Sequence, residues 1–251
     1  MRIIQNLPDA DYRSAAGLSN SMLKEFMRSP AHYRAALQQT KEATKALNFG
    51  TAFHQHILTP ELNLVVVKPD VDGRTAEGKR INAEFAEKSV GKTIIKQEEW
   101  EALNAMSQCV NENEIARKLL EITNKEVSVF NTIRGIECKG RMDMLKDDNK
   151  IIADLKTCES ADPERIKWTI KDYLYDVQNV HYSFLIENPN AEFYFVFVEK
   201  TPPYPVTIVS ISPETLARSC ERYYAALDRF KTCVETETYP SYCEGIQVIA
   251  F

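Results

Sequence analysis

Hydrophobic and polar positions follow two different periods along the chain, and the change of period divides it. Over residues 18–120 apolar positions recur mostly at helical spacing. Met22, Leu23, Phe26 and Met27 follow an N-capping Ser19, and Tyr33 and Leu37 follow Pro30, which suits a first helical turn. A third helix is predicted over 45–58, ending before Pro60. Leu64 to Val67 reads as a short strand, followed by Pro69 and a polar loop. Helices follow over 76–88 and 98–120, the second interrupted near Asn111 and divisible into two. Residues 1–17, with Pro8, Asp9 and Asp11, read as irregular.

From Glu126 the period becomes two, and 126–133, 136–145 and 150–156 predict three strands joined by short polar turns. Asp162 caps and Pro163 starts a long helix reaching Leu185, whose apolar positions include Trp168, Ile170, Tyr173, Val177 and Tyr182. Residues 192–199 are apolar on both faces, as in a central strand. A further strand over 206–211 and a last helix over 213–234 complete the pattern, and an apolar tail ends in Ile249-Ala250-Phe251.

The candidate chemistry sits in the strand region. Alternation places Ile152, Asp154 and Lys156 on one face of a strand and Ile151, Ala153 and Leu155 on the other. Antiparallel pairing of the two strands around the turn at Lys146–Lys150 would bring Asp143 close to Asp154. Two converging carboxylates suit a hard divalent cation such as Mg²⁺, and an ammonium two residues on suits phosphodiester hydrolysis, in which the cation polarises a phosphoryl oxygen while the lysine orients the nucleophile. The plainer reading is a surface hairpin with solvated charges. Plain readings also exist for the other candidates: His54 as a hydrogen-bonded core histidine, Glu126 as an exposed strand-end residue, Tyr182 as core and Gln178 as surface. Gln178 and Tyr182, four apart, share one helix face.

Composition narrows the class. A chain of 251 residues that is 44% hydrophobic can bury a core as one large domain. With neither a long apolar run nor a charged-then-apolar leader, a cytosolic protein is expected. The six scattered cysteines show no C-x-x-C pairing and read as free thiols. A net charge of −5 argues against a generally basic nucleic-acid binder. A local basic groove can coexist with an acidic remainder, and Lys24, Arg28, Arg74, Lys79 and Arg141 are candidates for it, Arg74 and Lys79 as phosphate contacts.

Asp143, ten residues, Asp154-Leu155-Lys156 and then Gln178-Asn179-Val180-His181-Tyr182 together resemble the PD-(D/E)XK nuclease superfamily. Within it the pattern is most similar to RecB-type nuclease domains and, closer still, to RecE-type exonucleases (exonuclease VIII). The likeness runs from Leu18 to about Val209 and includes Leu18-Ser19-Asn20-Ser21-Met22-Leu23-Lys24, Gly50-Thr51-Ala52-Phe53-His54 and Arg74-Thr75-Ala76-Glu77-Gly78-Lys79. It implies an α/β restriction-endonuclease-like core, with a central mixed sheet flanked by helices and an N-terminal helical layer. The expected organisation is one nuclease domain over 1–251, mainly helical over 18–120, catalytic over 121–235, with a tail at 236–251. It also implies metal ligation by His54, Asp143, Asp154 and the Leu155 carbonyl, with Glu126 serving a second ion, and a supporting role for Gln178 and Tyr182 beside catalytic Lys156. Mg²⁺, replaceable by Mn²⁺, would be the cofactor, double-stranded DNA ends the substrate, and 5′-to-3′ the direction. A toroidal tetramer, a single-strand annealing partner and a bacterial or phage-infected cytoplasm follow from the same likeness. An endonuclease on the same fold and an inactive DNA-binding module are the rival readings.

Overall fold

The computed structural model describes residues 1–39, 45–242 and 245–248, the side chains of 45–47 excepted. Cys243 and the terminal Ile249, Ala250 and Phe251 lie outside the described residues. In chain order the elements are β1 (Arg2–Ile4), α1 (Asp9–Ser14), β2 (Leu18–Ser19), α2 (Asn20–Arg28), α3 (Pro30–Gln38), α4 (Lys45–Leu58), β3 (Val65–Val67), α5 (Ala76–Lys88), β4 (Thr93–Ile95), α6 (Gln97–Glu112), α7 (Glu114–Leu120), β5 (Asn124–Ile133), β6 (Ile136–Leu145), β7 (Ile151–Cys158), α8 (Pro163–Asp172), α9 (Tyr175–Leu185), β8 (Glu192–Glu199), β9 (Val206–Val209) and α10 (Pro213–Thr236).

The main sheet has the order β1-β5-β6-β7-β8-β9, with the short β2 beside β6, and β3 pairs β4 in a separate two-stranded sheet. It is mixed, because β7 runs parallel to β8 while its other pairing, to β6, is antiparallel. Period-two alternation along the strands divides the core into two layers. Ile152, Phe193, Phe195 and Phe197 face α2, α3, α9 and α10, whereas Ala153, Leu155, Val196 and Val198 face α4, α6 and α7. This is the α/β architecture that the strand and helix pattern predicts, and no helix among the described residues is long and apolar enough to cross a membrane.

Three expectations need correction. Residues 1–17 are not irregular: β1 pairs Arg2, Ile3 and Ile4 with Phe130, Val129 and Ser128, a long-range pairing that leaves no local signal in so short a run. Glu126 does not open its strand but is the third residue of β5. The single helix expected from Pro163 to Leu185 is two helices, broken at Tyr173 and Leu174, where Leu174 takes a left-handed φ of 51°. Nothing in the periodicity marks that break, because no glycine or proline stands there. Trp168 and Tyr173, named among the apolar positions of the expected helix, are each 61% exposed.

Candidate active site

The β6–β7 ladder closes at Met144–Ala153 and Leu145–Ile152, and the next pair in register would be Asp143 with Asp154. There the strands part, while β7 keeps its full pairing to β8 as far as Cys158. The backbone groups of Leu155, which have lost their strand neighbour, are taken by side chains instead. Leu155 N–H donates to Asp143 Oδ2 at 2.7 Å, and the Leu155 carbonyl lies 2.7 Å from His54 Nε2. His54 arrives from α4 on the opposite layer, and its Nε2 is also 3.1 Å from Asp143 Oδ2.

The imidazole is held from both sides, since its Nδ1 lies 2.8 Å from the Gly50 carbonyl. Carbonyl oxygens only accept, so both ring nitrogens must carry hydrogen when no cation is present. Burial opposes that charge, but the Asp143 carboxylate and the Gly50 carbonyl raise the His54 pKa to about 9. Asp143 is correspondingly held below the usual carboxylate range: burial works against it, and His54, Lys156 and the Leu155 amide outweigh burial. Nε2, Asp143 Oδ2 and the Leu155 carbonyl thus surround one point with a nitrogen and two oxygens, a donor set that fits a divalent cation of the Mg²⁺ or Mn²⁺ kind in place of the proton. Among the described residues no three His, Cys, Asp or Glu side chains come together tightly enough to hold a metal by themselves. A third donor to such an ion would have to be the Leu155 carbonyl.

Asp154 and Lys156 point to the other face of β7. Asp154 is buried, accepting from Gln178 Nε2 of α9 at 2.5 Å through Oδ1 and ion-paired with Lys156 through Oδ2. Burial raises the Asp154 pKa first, and the neighbouring Asp143 adds to it, against the pull of Lys156. Lys156 is raised as well, because the charges of Asp154, Tyr175 and Asp143 outweigh its desolvation, and its ammonium lies 5.0 Å from the Tyr175 ring centroid. Glu126 stands across from Asp143 on β5 with a φ of 50°, a left-handed conformation that costs a non-glycine residue roughly 1–2 kcal/mol. Such strain within a strand accompanies functional positions. Burial, then the charge of Asp143, pushes its carboxyl up to about 7.

These groups open into a cleft of about 1430 Å³ whose walls include His54, Glu126, Arg141 and Lys156, the N-terminal residues Leu7 and Asp9, and α8 residues Arg165 and Trp168. The structure therefore brings together His54, Glu126, Asp143, Asp154, Leu155, Lys156 and Gln178. Tyr182 acts one step away, donating its hydroxyl to the Arg141 carbonyl at 2.8 Å. Arg141 is tied to the N-terminal segment, donating to Asp9 at 3.2 Å and to the Leu7 carbonyl at 2.8 Å over the Tyr12 ring. Arg28, Arg74 and Lys79 are exposed and none lines the cleft. Arg74 instead stands in solvent at its own turn, 3.7 Å from Asp72. Of the basic-groove candidates, Lys24 does reach the site, beside Tyr175, a residue that sequence reasoning passed over. Its ammonium lies 4.7 Å from the Tyr175 ring centroid, and burial, reinforced by Lys156, lowers its pKa to about 7. Its place in the Leu18–Lys24 run was the available signal, whereas Tyr175 had none.

A family model described as a PDDEXK-like domain of unknown function (DUF3799) matches residues 19–250. Among solved structures, a protein from Eubacterium rectale named as a candidate exonuclease is 15% identical, with 99% of this chain and 96% of that one covered and a TM-score of 0.65. A phage-related exonuclease from Haemophilus somnus 129PT is 13% identical over 89% of this chain and 97% of that one, with a TM-score of 0.37. No curated protein is similar enough to match.

Proposed function

The chain belongs to the PDDEXK-like family DUF3799, and from that premise we propose that it is a divalent-cation-dependent deoxyribonuclease, a RecE-type exonuclease that degrades double-stranded DNA from its ends in the 5′-to-3′ direction during recombination. The observation that carries this reading is the position of Lys156, paired with buried Asp154 at the point where β7 parts from Asp143. The exonuclease name of the Eubacterium rectale protein with this fold supports the exonucleolytic mode.

Mg²⁺, or Mn²⁺ in its place, would be held by His54, Asp143 and the Leu155 carbonyl, with Asp154 and Glu126 as further carboxylates. Such an ion polarises a phosphoryl oxygen and lowers the pKa of water. The rest falls to the chain's own side chains. With a raised pKa, Lys156 stays an ammonium at neutral pH, so it donates and does not act as a base. It orients the attacking water and offsets the charge that grows on the phosphoryl group. Gln178 fixes one Asp154 oxygen, leaving the other to Lys156. Tyr182 braces β6 through the Arg141 carbonyl. On the same reading the protein works in a bacterial or phage-infected cytoplasm as a toroidal tetramer, passing single strands to an annealing protein.

The test is digestion of end-labelled linear duplex beside a covalently closed circle, with Mg²⁺ or EDTA, using the wild-type chain and Lys156→Ala. Loss of linear DNA alone, abolished by EDTA and reduced at least about a hundredfold by the substitution, is expected for a group that stabilises transition-state charge. A cut circle would replace the exonuclease with an endonuclease. Absence of any cation-dependent cleavage would leave a DNA-binding module.

A further inference from the structure

The break between α8 and α9 has a product that an unbroken helix cannot make. On a continuous helix, residues two apart do not face each other. Here Tyr173 and Tyr175 stack, with ring centroids 5.7 Å apart and planes 18° from parallel. Tyr175 stacks in turn on buried Phe195 at 5.5 Å and 26°. The three rings form a continuous column that starts in the core, passes Lys156 beside Tyr175, and ends on Tyr173, 61% exposed at the cleft. Trp168, equally exposed, opens into the same cleft with Lys171 5.4 Å from its ring centroid. Leu174, a γ-branched residue in the left-handed region, carries the strain of the turn.

We infer that Tyr173 and Trp168 form a base-stacking platform that receives the unpaired nucleobases of one DNA strand beside the phosphate at Lys156. The inference rests on the nuclease reading for the phosphate at Lys156, and it adds to that reading that the strand enters the site single-stranded. Exposed aromatic faces in a cleft with basic side chains are the chemistry of single-strand binding, since every base offers a π-face and the backbone seeks positive charge. Arg165 and Lys200 line the same cleft as Lys156, Lys200 ion-paired there with Glu159. Within a duplex each internal base is covered by its stacked neighbours, so a strand that lays more than its terminal base on this platform must first part from its complement.

The chain has two tryptophans, so in Trp100→Phe the only indole is Trp168. Its fluorescence is titrated in EDTA, where cleavage is prevented, with a twelve-nucleotide oligothymidylate and with an abasic oligonucleotide of equal length. Quenching by the thymidylate and not by the abasic strand is expected. Trp168→Ala and Tyr173→Ala, both surface substitutions, should each weaken thymidylate binding about tenfold, read by anisotropy of a labelled strand. Equal quenching by the abasic strand, or unchanged affinity in both variants, would overturn the platform. So would a concentration-dependent shift of Trp168 emission without DNA, since a second copy of the chain would then cover the ring. Base-dependent binding by a wild-type chain that cleaves no DNA would uphold the platform and sink the nuclease reading. Cleavage with unaltered binding in the variants would do the reverse.

Discussion

Two histidines in this chain have opposite fates for stated reasons. His54 sits where a strand neighbour is missing, between an acidic side chain and two carbonyls, and is drawn toward the charged form. Removing it should cost divalent-cation affinity more than the tenfold or so that follows loss of a supporting residue. Calorimetric titration of His54→Ala with Mn²⁺ checks this, and an unchanged dissociation constant would remove His54 from the site. His181 is fully buried and neutral, with Nε2 on the Lys139 carbonyl at 3.1 Å and Nδ1 on the Tyr223 hydroxyl at 3.0 Å. Burial lowers its pKa to about 4 from an ordinary 6.5. The unfolded chain therefore binds the extra proton first, so stability is full above pH 6.5 and declines as pH falls toward 4, by about 3 kcal/mol from this group. His181→Gln keeps a donor for the carbonyl and should flatten the urea-midpoint profile across that window.

At the scale of elements, short segments are held by side chains from the sheet. Helix α1 has only six residues and no buried side chain. Lys139 of β6 secures its C-terminal end, donating to the carbonyls of Tyr12, Arg13 and Ala15 at 2.9, 3.2 and 2.5 Å, where a cation also meets the negative end of the helix. Lys139→Met should free the amides of Tyr12 and Ala15, raising their hydrogen-exchange rates about tenfold or more while the β5–β6 amides stay protected. The helix-period segments were legible in sequence because Ser19, Ser29, Thr75, Asp162 and Ser212 supply side-chain caps at their starts. The α8–α9 break was not, since it depends on Tyr173 and Tyr175 gaining a stack that only the tertiary arrangement offers.

For the molecule as a whole, the two layers meet on β7 and β8, so core packing and site geometry are linked. Phe195 is fully buried, stacks with Tyr175 and lies opposite Asp154 in the parallel register. Phe195→Ala should destabilise the fold by about 3–5 kcal/mol, measured by urea unfolding. A loss under 1 kcal/mol would mean that the column is not part of the core.

Alternation along 150–156 was enough to put Asp154 and Lys156 on one face and Leu155 on the other, because strand side-chain direction is set by the backbone alone. Antiparallel pairing around a short turn likewise placed Asp143 near Asp154. What the sequence could not determine is that the ladder stops one pair short, so that His54 from the other layer replaces a strand as the partner of Leu155. Nor could it show that Arg28, Arg74 and Lys79 lie away from the cleft while Lys24 and Tyr175 lie beside Lys156. Those outcomes depend on contacts between residues far apart in the chain, and local periodicity carries no information about which distant surfaces will meet.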